Sequence, residues 1–286
     1  MSPVYPKISI VTPSFNQGDF IEETIVSVLS QGYPNLEYII IDGGSTDNSI
    51  EIIKRYADGL HYWVSEKDNG HYDAVNKGFK KSTGEILTYL NADDILIAKS
   101  LFTIAEVFSK YENIQWLGGV SNHIDETGRC IFVSNHVSWN RFRFYKKDFM
   151  FIQQEGTFWR RSLWEKVGDY ISTDYKLASD LELWSRFFSV AEYYVLPVII
   201  AAFRVRSKNQ KSLELFDQYM MEAEKILNAM PIPKKDKKIM DIYNRWYLKY
   251  LYRIPLIKKL KFVRYNYKQY HTYPAILEFD RIKQTF

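Results

Sequence analysis

The sequence predicts an α/β fold, a mostly parallel Rossmann-like sheet flanked by helices, with a helical appendage at the C-terminus. Three observations predict it. Four short apolar runs, Ile8–Thr12, Tyr38–Asp42, Leu60–Val64 and Ile86–Leu90, alternate with segments of helical period, the pattern of βαβ units with right-handed crossovers. Polar residues gather just after each run. Beyond Met230-Pro-Ile-Pro233 the composition turns basic and aromatic.

In the first helix Ile21, Ile25, Val28 and Leu29 fall on one face, with Asp19 placed as a cap before them. The second starts after Asp47 or Asn48 and is expected to bury Ile50, Ile53 and Ala57. The third runs from about Tyr72 to Lys81, and another starts near Lys99. Beyond residue 111 the pattern loosens. Gln115–Ser121 and Arg129–Ser134 read as strands joined through a turn at Glu126-Thr-Gly128, and Asn135–Met150 has no clear period. Helices at Ser162–Val167 and about Asp180–Val190, with strands at Glu192–Leu196 and Ala201–Val205, close a body of residues 1–206. A long helix from Ser212 to about Met230 opens the extension, residues 207–286.

With 46% hydrophobic residues in 286 the chain can bury a core. No apolar run approaches the roughly 20 residues of a membrane span, and the N-terminus has no basic segment followed by a long apolar one. The single Cys130 fits a reducing cytosol, offers neither paired metal ligands nor a redox motif, and is expected as a plain strand residue. A net charge of +4 hides an asymmetry: Lys234–Phe286 holds 14 Lys and Arg against 4 Asp and Glu. Within that tail, Ile242–Phe262 suits an interfacial helix on an anionic membrane surface, where each basic residue contributes roughly 1 kcal/mol. It equally suits helices packed on the body with solvated basic faces. No recognition motif accompanies the charge, so nucleic acid is not an expected partner. The expected location is cytoplasmic or peripheral on the inner face of a membrane. None of His61, His71, His123, His136 and His271 has metal-ligand spacing.

Parallel α/β sheets bind ligands beyond the carboxyl ends of their strands. Four polar loops fall there: Thr12-Pro-Ser-Phe-Asn-Gln17, Asp42-Gly-Gly-Ser-Thr-Asp47, Ser65-Glu-Lys-Asp-Asn-Gly70 and Asn91-Ala-Asp-Asp94. Carboxylates concentrated at the end of a buried strand need a partner, most cheaply a divalent cation with phosphate on its other side. A plain turn and helix cap would also account for Asp93 and Asp94 taken alone. The second loop matches neither Gly-x-Gly-x-x-Gly nor the P-loop pattern, which argues against a dinucleotide site.

The segments Ile8-Ser-Ile-Val-Thr-Pro-Ser-Phe-Asn16, Ser27-Val-Leu-Ser-Gln-Gly32, Ile41-Asp-Gly-Gly-Ser-Thr-Asp47, Gly70–Ala74, Asn76–Gly78 and Leu90-Asn-Ala-Asp-Asp94 stand in one order over about the first hundred residues. Together they resemble the nucleotide-sugar-binding half of the family 2 inverting glycosyltransferases with the GT-A fold. The resemblance implies a donor half at 1–111 and an acceptor half at 112–206. It implies that Thr12, Pro13, Phe15, Asp42, Gly43, Asp68 and Asn76 receive the donor, that Asp93 approaches the ribose or the metal, and that Asp94 binds a Mn or Mg ion bridging the diphosphate.

Ser179-Asp-Leu-Glu-Leu-Trp184 sits where that family carries Glu-Asp-x-Asp-Leu-Trp, which implies Asp180 as general base. An acceptor hydroxyl is a weak nucleophile, and a carboxylate in hydrogen-bond reach removes its proton as the new bond forms. As a bare motif Asp180 would read as a helix N-cap. Gln154, Glu155 and Thr157 stand where an acceptor segment is expected, though a loop and strand ending in a solvated Arg pair describes Gln153–Arg161 as well. Lys77, Arg204 and Arg206 are open between phosphate contact and surface decoration; His71, beside Gly70, is the histidine nearest a loop.

Three departures matter. Gly43 stands where many relatives have a second Asp facing the nucleobase, Asn91 replaces an Asp opening the metal motif, and the Gln-x-x-Arg-Trp motif of processive synthases is absent. The resulting expectation is transfer of one sugar, from a UDP-sugar, to a glycan or lipid-linked acceptor of the cell surface. The alternatives are a nucleotidyltransferase, which would want a Gly-rich basic loop after the first strand, and a catalytically inactive protein of the same fold, for which Ser179 in place of Glu is the support.

Overall fold

The computed structural model describes residues 5–244, apart from 135–140, 150–151 and 208–213, together with residues 275–276, 279–280, 283 and 285–286. The first hundred residues alternate as expected: β1 (Ile8–Ser14), α1 (Ile21–Leu29), β2 (Leu36–Asp42), α2 (Ser49–Arg55), β3 (Tyr62–Ser65), α3 (His71–Lys81), β4 (Ile86–Tyr89), β5 (Ile95–Leu96) and α4 (Ser100–Lys110). There follow β6 (Trp116–Gly118), β7 (Asn122–Ile124), β8 (Cys130–Val133), α5 (Arg141–Tyr145), β9 (Thr157–Arg160), α6 (Arg161–Lys166), α7 (Ser179–Val190), β10 (Tyr193–Val195), β11 (Ala201–Arg204), α8 (Phe216–Ala229), α9 (Lys234–Asn244) and β12 (Ala275–Ile276).

Eight strands form the main sheet in the order β12-β10-β6-β9-β4-β1-β2-β3. Only β9 runs against its neighbours, β4 and β6. The register decides where the loops go: Ser14 pairs with Asp42, and Asp42 with Ser65, so three strand ends lie in one row. Side chains alternate across the strands. Ile8 and Ile10 join α1, α2 and α4 on one face, while Val11, Ile39 and Ile41 join α3, α6 and α7 on the other with Trp116, Trp159 and Trp184. Both faces are covered, which is why the strands read as continuous apolar runs. A second sheet has the order β5-β11-β7-β8.

Several expectations are corrected. Asp19 does not cap α1, whose first turn follows Phe20 without a side-chain cap. In α2 the buried apolar pair is Ile52 and Ile53, and Ala57 falls in a separate single turn, Ala57–Gly59. The partner of β8 is β7, because Gln115–Ser121 breaks after Gly118 and the chain changes sheets. A Cβ on Gly118 would lie 2.0 Å from the Tyr193 hydroxyl, and one on Gly119 2.6 Å from Ile200; no larger residue fits where the sheets meet. Cys130 is an exposed strand residue. The extension begins as a packed element: Ala223 and Ile226 of α8 are buried against α5 and α7, and Glu222 accepts backbone N–H groups of Lys176, Leu177 and Ala178. Most of Ile242–Phe262, and His136 and His271, lie outside the described residues.

Candidate active site

The strand-end row opens onto a cleft of about 1400 Å³. Its lining includes Pro13–Gln17, Asp68, Gly70, His71, Asn91, Asp93 and Arg206, and from later in the chain Gln153–Glu155, Lys176 and Asp180, with Phe216 and Tyr219 of α8.

The first two loops are laced to each other. Asn16, in a left-handed conformation with φ 51°, accepts from Thr46 N and donates its own N–H to the Ser45 hydroxyl. Asp42 has no exposed surface and accepts four bonds, from Gly44 N, Ser45 N, Ser45 Oγ and Ser65 Oγ. A carboxylate has about four acceptor sites. Asp42 therefore builds the loop and has no capacity left for a donor, contrary to its expected role. Thr12 is likewise buried, with its hydroxyl on Tyr38 Oη at 3.1 Å, and only its neighbours Pro13 and Phe15 reach the cleft. Asn76 clamps the backbone of Ile171 in both directions, donating at 2.7 Å and accepting at 2.8 Å. It too is a strut.

Gly43 has a consequence the sequence left open. A Cβ there would lie 2.7 Å from Asp68 Oδ2, so the Asp68 carboxylate stands in the space that a side chain at 43 would fill. Its Oδ1 is fixed by Gly70 N at 2.8 Å, and the residue lines the cleft.

Beyond β4, the two aspartates separate. Asp93 faces the cleft with its side chain 17% exposed and its Oδ2 3.1 Å from Arg206 Nη2. Asp94 has no exposed surface: Oδ1 accepts from Arg204 N at 2.8 Å and Oδ2 from Asn91 Nδ2 at 3.0 Å. As placed, Asp94 braces the turn and does not line the cleft. Burial pushes the pKa of Asp93 up against the pull of Arg206, and pushes Asp94 well above the carboxylate range, helped by Asp93 and Glu155.

Across the cleft, Glu155 is 3% exposed and its Oε1 has no hydrogen-bond partner. Burial, and then the charges of Asp180 and Asp93, push its carboxyl to about 8. Gln154 donates to the Tyr89 carbonyl and leaves Oε1 unpaired. Thr157 is buried and turned inward to the Gln153 carbonyl, away from the cleft. Asp180 sits one residue inside α7, so it is not the N-cap; its Oδ1 accepts from Leu181 N at 2.8 Å, and burial pushes its pKa to about 6. Ser179 points into the core, bonded to the Tyr175 carbonyl. Asp93, Asp94, Glu155 and Asp180 thus come from three distant segments to surround Tyr89 and Tyr72, whose phenols are pushed up by burial first and by these neighbouring carboxyl groups second.

Among the described residues no three acidic, His or Cys side chains form a metal site by themselves. The oxygens present nevertheless fit a hard cation. Asn91 Oδ1, Gln154 Oε1 and Glu155 Oε1 are buried acceptors with no donor, and Mg-type sites use one or two carboxylates and complete the shell from substrate phosphates and water. Asp93 is the motif carboxylate on the cleft. Arg206, left open in the sequence between phosphate contact and surface decoration, and Asn91, noted there as a departure from the metal motif, both line the cleft, whereas Tyr72 and the α8 pair Phe216 and Tyr219 carried no signal in the sequence. Lys77 is paired with Glu66 and Asp73, and His71 reaches the cleft, edge-on to Tyr72 and Tyr89.

The family model described as glycosyl transferase family 2 matches residues 9–163. The chain belongs to this family. An uncharacterized glycosyltransferase of Mycobacterium tuberculosis is 29% identical over 200 residues, 69% of this chain and 75% of that protein. The putative teichuronic acid biosynthesis glycosyltransferase TuaG of Bacillus subtilis is 37% identical over 92 residues, 31% of this chain and 36% of that one. Staphylococcus aureus TarS 1–349, solved with UDP-GlcNAc, superposes with a TM-score of 0.63 at 19% identity, covering 82% of this chain and 70% of that one. The mannosyltransferase PcManGT of Pyrobaculum calidifontis, solved with GDP-Man and Mn2+, gives 0.56 at 16% identity, covering 94% and 87%. The fold is therefore GT-A, and the chain is a glycosyltransferase.

Proposed function

We propose that this glycosyltransferase moves one sugar from a nucleotide-diphosphate donor, a UDP-sugar, to a glycan or lipid-linked acceptor in cell-surface polysaccharide synthesis, with inversion at the anomeric carbon. The observation that carries the reading is that Asp93 and Asp180, far apart in sequence, line the same cleft. The names of TuaG and TarS support the pathway and the nucleotide.

In this reading Pro13, Phe15 and Asp68 hold the nucleoside, and the Asp68 carboxylate supplies at Gly43 the acceptor for a base N–H. Asp93, rather than the sequestered Asp94, would hold the divalent cation, Mn or Mg. That ion, when bound, supplies Lewis-acid neutralisation of the departing diphosphate. Asp180 takes the proton of the acceptor hydroxyl while the new C1–O bond forms. The C1–O bond to the diphosphate breaks with its electron pair leaving on the diphosphate oxygen, so the attack comes from the opposite face and needs no covalent enzyme intermediate. Glu155, kept protonated at neutral pH by its buried site, donates a hydrogen bond to a sugar oxygen, and Gln154 offers its unpaired carbonyl to a sugar hydroxyl. Residues 207–286 serve as an extension whose first helix walls the acceptor side.

No helix among the described residues is long and apolar enough to cross a membrane; the basic tail of residues 234–286 is proposed to bring the enzyme to an anionic membrane surface. Flotation with anionic vesicles at low salt checks it, and a chain that stays in the soluble fraction contradicts it. The main test is a nucleotide-sugar screen by thermal stabilisation with Mn2+ or Mg2+. A metal-dependent shift with a UDP-sugar, lost in Asp93→Ala, is expected; a shift that Asp93→Ala leaves intact contradicts the metal assignment.

A further inference from the structure

Arg204 and Arg206 leave β11 two residues apart and do different things. Arg204 has no exposed surface. It donates to the carbonyls of Asp93, Asp125 and Glu126 and to the Glu23 carboxylate at 2.5 Å, which makes it a strut behind the Asn91–Asp94 turn. Arg206 turns into the cleft. Its Nη2 is 3.1 Å from Asp93 Oδ2, with only 15% of the arginine side chain exposed, and Nη1 donates to Gln17 Oε1 at 3.3 Å. Both guanidinium groups lie over the Phe20 ring, at 5.2 and 5.5 Å from its centroid. Arg206, Asp93, Gln17 and Phe20 all line the cleft.

We propose that Arg206 is a donor-site residue that holds Asp93 until a divalent cation takes the carboxylate, and then grips the donor's diphosphate, so that cation and nucleotide bind as a coupled pair. The inference rests on the donor-site reading above. A cation arriving alone must break a partly buried ion pair and sit beside two guanidinium groups, where screening by solvent is weak. A diphosphate arriving alone meets the carboxylates of Asp93 and Asp180, which line the same cleft. When both arrive, the cation satisfies Asp93 and neutralises the diphosphate, and the released guanidinium finds a planar, bidentate acceptor in its oxygens. The Phe20 face and Gln17 keep the arginine at the rim while it changes partner. Coupling of this kind is reciprocal: each ligand tightens the other by the same factor.

The test uses the full chain with Mn2+ followed by electron paramagnetic resonance of the free ion, alone and with UDP or GDP, and nucleotide affinity by calorimetry. In the wild type, nucleotide is expected to tighten Mn2+ by about tenfold or more. In Arg206→Ala, Mn2+ alone is expected to bind several-fold tighter, nucleotide about tenfold weaker, and the coupling is expected to fall toward unity. Arg206→Lys, which keeps the charge and loses the fork, should fall between the two and provides the readout if the alanine variant does not fold. Wild-type nucleotide binding with Mn2+ affinity and coupling unchanged in both variants overturns the role of Arg206 while leaving the donor site standing. A wild type that binds neither nucleotide at any Mn2+ concentration overturns the donor-site reading, and the coupling with it.

Discussion

Residues 1–111 and residues 112–206 are built by different means, and both stretches line the cleft. In residues 1–111 each strand, loop and helix is set by its own local pattern, and the parallel register aligns Ser14, Asp42 and Ser65 at one rim. In residues 112–206 the elements are short and held by distant partners: β9 runs antiparallel between β4 and β6, and Trp184 stacks on Trp116 at 5.5 Å and meets Trp159 edge to face at 5.6 Å. Local units make a regular rim on which a nucleotide can lie. Long-range packing then hangs the carboxyls of Glu155 and Asp180 over it, in surroundings dry enough to raise their pKa values.

If that division is right, substitutions in the second half should separate chemistry from donor binding. Asp180→Asn should lower transfer by about 10²–10⁴-fold, the usual contribution of a general base, with donor affinity unchanged in a calorimetric titration. The wild-type rate should fall as pH drops below about 6, where the Asp180 carboxylate is protonated; a rate level through pH 5 would assign the base elsewhere. Trp159→Ala, at a fully buried position, should cost about 3–5 kcal/mol, measured by denaturant unfolding. Because Trp159 pairs with both β4 and β6, one transition covering both halves is expected, and a separate early transition of the second half would argue that the halves fold independently.

Glu155→Gln tests how dry the cleft is at Glu155. The folded-state pKa of Glu155 is raised from 4.5 to about 8, so the folded state holds the proton more tightly than the unfolded chain. Its contribution to stability is complete below pH 4.5 and is lost as pH rises through about 8. The glutamine variant should therefore gain in melting temperature relative to wild type as pH is raised across that window, and parallel curves would place Glu155 in water. Gly43→Ala should be the mildest. Its Cβ meets only the end of the Asp68 side chain, 2.7 Å from Oδ2, which can turn aside by giving up its bond from Gly70 N, so stability should change by about 1 kcal/mol while nucleotide affinity falls as that carboxylate is displaced.

The same contrast explains what could be read from the sequence. The β1–β4 alternation and the convergence of four loops were legible because each rests on residues a few positions apart. The hairpin partner of β8 was not, since β6 and β7 differ by a sheet change at Gly118-Gly119 that becomes visible only once Tyr193 and Ile200 are in place. Asp42, Asn76 and Thr157 sit in motifs that suggest ligand contact, yet Ser65, Ile171 and the Gln153 carbonyl use up their polar atoms. Sequence shows that a carboxylate stands at a strand end; it does not show which of Asp93 and Asp94 is turned toward the cleft, because that depends on the Arg204 backbone more than a hundred residues away.

The central claim is that carboxyl groups from both halves act on one bound donor. A crystal soaked with Mn2+ and UDP, measured at the manganese edge, decides it. Anomalous density is expected within coordination distance of Asp93, with the diphosphate between that ion and Arg206 and Asp180 facing the β-phosphate end across the cleft. Manganese bound elsewhere, or UDP lying outside the rim formed by Pro13, Asp68 and Asp93, would contradict it.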